Sequence, residues 1–167
     1  MHDTTEQGHL FEPKKYVIET FDDELRVDNL CKELLQQYHQ HLLNNNDFSP
    51  IKAGSHASGA DYFLRDFMID NRRTNIIDIS PELIHSFAGN WYIINTLEPN
   101  MEELGNILHG IDFFYRFCAE KKMVDPSLTE QIHQACSRIE YYQERIESFH
   151  EISGDGYMVW NSSCPLK

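Results

Sequence analysis

The sequence predicts an all-α fold, an orthogonal bundle of about five helices. Three observations favour this fold class. Apolar residues recur at steps of three and four along most of the chain, helix-start residues stand before those stretches, and 167 residues are enough to bury one hydrophobic core. The composition, 41% hydrophobic and 25% charged, is typical of a globular protein and not of a disordered chain.

Two helices are predicted in the first half of the chain. The first begins at the acidic residues 22–24, carries apolar residues at helical spacing over 30–42, and ends near the asparagines at 44–46. A loop around Gly54 follows, because glycine is typical of irregular connections. The second helix is predicted over about 57–73.

Ser80 and Pro81 predict the start of a third helix. A serine side chain accepts hydrogen bonds from first-turn N–H groups, and proline suits the first helical position because it has no N–H to leave unpaired. A fourth helix is predicted after Pro99. Its apolar residues over 104–118 include several aromatics, so we expect it to be the most buried helix.

A fifth helix is predicted to begin at 125–127 and to continue to Phe149. Seven apolar residues from Leu128 to Phe149 alternate steps of four and three, which is a heptad pattern. Packing of this seam against the first helix of the same chain is the preferred interpretation. A coiled-coil dimer is the alternative.

The two ends of the chain differ from this helical pattern. Residues 1–15 show no period and are predicted to be a flexible segment, which leaves 16–167 as a single helical domain. Two short β-prone runs, 16–18 and 157–160, are expected to form a small two-stranded pair.

The formal net charge is −13, and each third of the chain is acidic. Nucleic acid and anionic membranes are therefore disfavoured as partners, unless basic side chains cluster in space. If DNA is bound, six basic residues are the candidates for the contact surface. They are Arg65, Arg72, Arg73, Arg116, Lys121 and Lys122.

The four cysteines have no paired spacing, so we expect small buried hydrophobic residues and neither disulfides nor a zinc site. The polar N-terminus lacks the pattern of a secretory signal, and no apolar run reaches 18 residues. A cytoplasmic location without membrane contact is the expectation.

Two Glu-x-x-His pairs resemble the ligand pattern of ferritin-like di-iron bundles. They are Glu82 with His85 and Glu147 with His150. Chance accounts for both pairs in a chain rich in glutamate, so no metal or other cofactor is predicted, and a metal-dependent enzyme remains an alternative.

No serine-nucleophile elbow and no glycine-rich phosphate loop occur, so the chain is not predicted to be an enzyme. Asp112 lies in the most apolar predicted helix, beside Phe113. We expect it on the outer face of that helix. A buried carboxyl group of the kind that marks active sites is the alternative.

Residues 59–126 carry an ordered set of short patterns. Tyr62-Phe63-Leu64-Arg65-Asp66-Phe67 is followed by Asp78-Ile79-Ser80-Pro81-Glu82-Leu83-Ile84-His85-Ser86-Phe87, and then by Leu108-His109-Gly110-Ile111-Asp112-Phe113-Phe114-Tyr115-Arg116-Phe117. This order resembles the N-terminal core-binding domain of tyrosine recombinases. The resemblance implies a helical DNA clamp. The recombinase catalytic domain has no counterpart here, so the resemblance implies no DNA cleavage.

These observations together predict a non-catalytic binding or adaptor protein that engages a protein partner or associates with itself. Its apolar contact surface is expected to include Trp91 and Tyr92 on the third helix, with Tyr142 and Phe149 on the seam of the fifth. A DNA-associated accessory protein is the alternative that the recombinase resemblance supports.

Overall fold

The computed structural model describes residues 9–45, 47–152 and 156–164, and all regular structure in them is helical. This confirms the predicted all-α class. Seven helices follow two 3₁₀ turns, His9–Phe11 and Pro13–Tyr16. They are α1 (Phe21–Leu43), α2 (Pro50–Asp61, continued by π-helical turns over Tyr62–Asn71), α3 (Pro81–Ser86, Phe87–Trp91 as π-helical turns, Tyr92–Asn95), α4 (Met101–Glu120), α5 (Pro126–Cys136), α6 (Ile139–His150) and α7 (Gly156–Ser162).

Side-chain caps fix the starts of α1 and α2. Thr20 Oγ1 accepts a hydrogen bond from the Asp23 N–H, and Asp23 Oδ2 accepts one from the Thr20 N–H, which is a reciprocal capping box. Ser49 Oγ accepts a hydrogen bond from the Lys52 N–H, with Pro50 at the first helical position. Helix α2 therefore begins seven residues earlier than predicted, and the loop expected around Gly54 is helical.

The predicted single helix from 125–127 to Phe149 is wrong, because the chain breaks between α5 and α6. Helix α5 begins where predicted, and Asp125 Oδ1 accepts a hydrogen bond from the Ser127 N–H. Ser137 ends α5, and its hydroxyl donates a hydrogen bond to the His133 carbonyl. Both short helices turn most of their apolar residues to the core, although Ile139 is exposed. The Tyr142 hydroxyl donates a hydrogen bond to the Ala135 carbonyl at 2.7 Å and so joins α6 to α5. The heptad pattern therefore arises because α5 and α6 pack on the same core, and not because they form one straight helix.

The strand pair predicted for the ends of the chain is also wrong. Tyr16 closes a 3₁₀ turn and donates a hydrogen bond to the Leu10 carbonyl, whereas residues 157–160 lie within α7. Residues 9–15 of the segment predicted to be flexible form the two 3₁₀ turns, and Leu10 is buried there. Residues 1–8 lie outside the described part of the chain.

Arg145 on α6 holds α7 in place. Its guanidinium lies 3.8 Å from the centre of the Trp160 ring and donates hydrogen bonds to the Trp160 carbonyl and the Ser163 hydroxyl. A third hydrogen bond reaches the Gly89 carbonyl in α3. Arg145 is buried, and among the described residues no carboxylate pairs with it. Carbonyl oxygens and an aromatic ring therefore replace an ion pair.

Helix α4 is the centre of the core and has more buried residues than any other described helix, as predicted. It crosses α2 at very short range, since a Cβ atom on Gly59 would lie 2.8 Å from the Ile107 Cα, and one on Gly110 would overlap the His56 carbonyl. Tyr38 of α1 also donates a hydrogen bond to the Gly110 carbonyl at 2.9 Å. Glycine is required at this crossing because any side chain would separate the two helices.

We predict opposite effects for two glycine substitutions on α4. Gly110→Ala should lower the free energy of unfolding by about 1–3 kcal/mol, because the added methyl group overpacks the crossing with α2. Gly105→Ala meets no atom within 4 Å and should raise the free energy of unfolding by about 0.5–1 kcal/mol, because alanine favours the helix. Urea denaturation followed by circular dichroism measures both. If both substitutions changed the free energy of unfolding equally, the α2–α4 crossing would be able to widen without loss of stability.

Candidate functional site

A cleft of about 580 Å³ opens where the α1–α2 connection, α2, α4 and the α5–α6 junction meet. We call it the Asp112 cleft. Thirteen residues line it: Asn45, Asp47, Phe48, Lys52, His56, His109, Asp112, Phe113, Arg116, His133, Cys136, Ser137 and Ile139. Five of them are lysine, arginine or histidine, in a chain whose net charge is −13. Lys52 and Arg116 carry permanent positive charges at the cleft, three histidines can add to them, and Asp47 and Asp112 are the two acidic residues of the lining.

Asp112 is the central polar group of the cleft. It is 7% exposed, which corrects the expectation that it lies on the outer face of its helix. Its Oδ2 lies 2.8 Å from His133 Nδ1 and accepts a hydrogen bond from Arg116 Nη2 at 3.1 Å. Its Oδ1 has no hydrogen-bond partner among the described residues. Helix α5 packs over this face of α4 and buries the carboxylate.

His56 forms the inner wall of the cleft, where it is 1% exposed. Its ring packs against Phe48, Phe113 and His109 at centroid distances of 5.5–6.0 Å. Neither ring nitrogen has a hydrogen-bond partner within the described part of the chain. Burial lowers the pKa of His56 first, and the neighbouring His109 and Lys52 lower it further, so the ring is held in its neutral form.

The aromatic floor of the cleft comes from Phe48 and Phe113, whose rings meet edge to face at 5.1 Å. Phe113 also lies under the Arg116 guanidinium, 5.5 Å from its ring centre. Burial raises the pKa of the Cys136 thiol, so this cysteine is a protonated thiol at neutral pH. The cleft thus combines an apolar floor with a rim of basic groups.

Five of the six basic residues predicted as a DNA surface make internal contacts. Arg65 pairs with Asp28 and Asp61, and Arg73 pairs with Glu24. Three others lie against partners within the fold: Arg72 donates to Ser86 Oγ, Arg116 to Asp112, and Lys121 lies over the Phe11 ring. Lys122 is exposed, in a left-handed turn with φ of 62°. Of the six, Arg116 alone lines the Asp112 cleft.

The residues of the two predicted Glu-x-x-His pairs have separate surroundings. His85 contacts Arg138 at 3.1 Å, whereas the His150 ring lies 3.3 Å from the Pro99 carbonyl. Glu147 accepts a hydrogen bond from Gln143, and Glu82 is exposed. Within the described ranges, no group of three or more His, Cys, Asp or Glu side chains is placed to hold a metal ion.

The residues predicted as an apolar contact surface divide into two kinds. Tyr92 and Tyr142 are fully buried. The Tyr92 hydroxyl donates a hydrogen bond to Glu103, and the Tyr142 hydroxyl donates one to the Ala135 carbonyl. Trp91 and Phe149 are half-buried. Tyr92 and Tyr142 therefore cannot form part of an exposed patch.

Sequence reasoning missed Lys52, His56, His109 and His133 as site residues. One signal was present, because His109, Asp112 and Arg116 follow one another at steps of three and four and so share a helix face. No local pattern connects them with His133, which lies 21 residues after Asp112. The packing of α5 on α4 brings these residues together.

No protein-family model, curated protein or solved structure matches this chain. The likeness to the recombinase core-binding domain therefore stays a prediction from residue pattern. None of the described helices has both the length and the apolar character needed to cross a membrane.

We predict that His56 makes the fold sensitive to acid. An unfolded histidine gains its proton near pH 6.5, but the folded chain keeps His56 neutral to lower pH. Between those two pKa values the unfolded state binds more protons, so the free energy of unfolding falls as pH drops below about 6.5. His56→Leu removes this proton uptake, and the variant should lose less stability than the wild type between pH 7.5 and 5.

The control for this experiment is His39→Leu, a change at a half-buried histidine of α1 that forms no ion pair with a described residue. It should retain the wild-type loss of stability on acidification. Denaturant unfolding at a series of pH values measures all three proteins. If His56→Leu loses as much stability as the wild type, the buried ring is not the source of the acid sensitivity.

Proposed function

We propose that this chain is a binding protein for a small molecule that carries a phosphate group, and that the ligand occupies the Asp112 cleft. One observation carries the proposal: a strongly acidic chain gathers Lys52, His109, Arg116 and His133 around one concave volume. The volume of about 580 Å³ lies in the range of small-molecule sites. The proposal keeps the binding role expected from the sequence but changes the expected partner.

Lys52 and Arg116 on the rim have hydrogen-bond donors that are available to a ligand. The Lys52 ammonium is exposed, and no acidic side chain among the described residues pairs with it. Arg116 uses Nη2 toward Asp112, and its Nη1 and Nε point to no described acceptor. Guanidinium and ammonium groups are the side chains that most often bind phosphate oxygens.

A phosphate group suits this rim better than a carboxylate does. The donors come from α2, α4 and α5, and so surround the cleft from three sides. A tetrahedral phosphate can accept hydrogen bonds from three directions, whereas a planar carboxylate has two oxygens in one plane. The Phe48 and Phe113 floor favours a ligand whose remainder is apolar or aromatic.

Two other expectations from the sequence remain proposals. A protein partner has weaker support, since Tyr92 and Tyr142 are buried. A cytoplasmic location is consistent with the four cysteines, which are all free thiols.

Substitution of Lys52 should weaken binding of pyrophosphate, the probe that we choose. A charge-assisted hydrogen bond contributes about 1.5–3 kcal/mol, so Lys52→Ala should raise the Kd for pyrophosphate about tenfold or more. Lys32→Ala is the matched control, because Lys32 is an exposed lysine of α1 that does not line the cleft. Isothermal titration calorimetry gives the three Kd values.

Amide NMR spectra locate the probe. Pyrophosphate should shift the signals of cleft residues such as His109 and Ser137, and succinate at equal concentration should not. Shifts outside the cleft, or equal responses to pyrophosphate and succinate, would contradict the proposal.

A further inference from the structure

His133 is held in an orientation that leaves one ring nitrogen available. Its Nδ1 lies 2.8 Å from Asp112 Oδ2, and its carbonyl oxygen accepts a hydrogen bond from the Ser137 hydroxyl. No described residue forms a hydrogen bond with Nε2. The side chain is 45% exposed and lines the cleft, so Nε2 can meet a ligand.

The proton on His133 can be placed from its neighbours. Arg116 Nη2 also lies 3.0 Å from Nδ1, but both Arg116 and a protonated Nδ1 can donate to the same carboxylate oxygen. An unprotonated Nδ1 would instead face the negative Asp112 Oδ2 at 2.8 Å with its lone pair. The carboxylate therefore favours the tautomer with the proton on Nδ1 and a free lone pair on Nε2.

We propose that the Asp112 cleft catalyses phosphoryl transfer within a small phosphodiester that carries a neighbouring hydroxyl group. In this reaction His133 is the general base, and Asp112 is a positioning residue that fixes the tautomer of His133. The inference rests on the proposed function, because the substrate phosphate must occupy the same cleft.

We assign the nucleophile to the substrate, because the two nucleophilic side chains of the cleft are not suited to the task. Burial raises the pKa of the Cys136 thiol and disfavours the thiolate. The Ser137 hydroxyl is bonded to the His133 carbonyl. A hydroxyl group beside the phosphate in the same molecule has a high effective concentration, which favours attack within the substrate.

The reaction balances without a further reactant. His133 Nε2 takes the proton of the substrate hydroxyl, and the resulting oxygen attacks phosphorus to form a cyclic phosphodiester. The bond from phosphorus to the leaving oxygen breaks, and that oxygen departs with a proton from His109. His109 is exposed and lies three residues before Asp112, on the same face of α4. Lys52 is placed to stabilise the added negative charge on the phosphate oxygens.

The test uses 2-hydroxypropyl 4-nitrophenyl phosphate, which has the neighbouring hydroxyl and releases coloured 4-nitrophenolate. The full chain, with EDTA present, should turn over this probe. It should not turn over bis(4-nitrophenyl) phosphate, which lacks the hydroxyl. His133→Asn should lower kcat by about a hundredfold or more, the usual effect of removing a general base.

Three variants separate the roles of the residues. Asp112→Asn should lower kcat and leave KM nearly unchanged, whereas Lys52→Ala should raise KM and also lower kcat, because the Lys52 ammonium attracts the phosphate in the bound substrate and in the transition state. His41→Asn is the matched control on α1, outside the cleft, and should retain full activity. Circular dichroism and amide NMR spectra confirm that each variant is folded.

Two results would overturn the inference. If the wild type binds pyrophosphate in the cleft but does not turn over the hydroxyl-bearing probe, this chemistry is refuted and the proposed binding function stands. If His133→Asn retains wild-type turnover, His133 is not the base. Failure of pyrophosphate to bind in the cleft would refute the proposed function itself.

Discussion

The close crossing of α2 and α4 is the constraint on which the rest of the structure depends. Gly59 and Gly110 bring the two backbones into direct contact, and the Tyr38 hydroxyl joins α1 to the same point through the Gly110 carbonyl. The other faces of α4 pack against α5 and against the segment that carries Ile76. The buried Tyr115 hydroxyl of α4 donates a hydrogen bond to the Ile76 carbonyl. A wider crossing would change every one of these contacts, because closely packed interiors adjust poorly to a change of volume.

The same crossing determines the chemistry of the cleft. It places the His56 ring against His109 and Phe113, where no described residue forms a hydrogen bond with either ring nitrogen. Asp112 Oδ1 is also buried nearby, and it too has no partner in the ranges that the structure describes. Buried polar atoms without hydrogen bonds cost stability, and proteins commonly retain such costs where function requires the groups. Among the described residues, three of the five buried side-chain atoms without a hydrogen-bond partner lie in this cleft.

The elements that sequence reasoning predicted are those with local signals. Pro81 marks the start of α3, although the Ser80 side chain does not make the expected capping hydrogen bond. The apolar spacing in 104–118 identifies α4 as the central helix. The break between α5 and α6 left no such signal, because residues on both sides of Ser137 face the same core. The burial of Asp112 depends on α5 packing over α4, which periodicity within α4 cannot reveal. Thus the pattern of one helix predicts its buried face but not which neighbour covers a polar residue at the edge of that face.

The anchoring of α7 by Arg145 has a consequence for spectroscopy. The chain has two tryptophans, and they lie in unlike surroundings. Trp160 stacks under the Arg145 guanidinium and donates its indole N–H to the Arg145 carbonyl, whereas Trp91 lies among Tyr62, Phe67 and Phe87. Fluorescence of Trp160 therefore reports the docking of the last helix, and fluorescence of Trp91 reports the contact between α2 and α3. Two single-tryptophan variants would distinguish detachment of α7 from loosening of the core, without an added label.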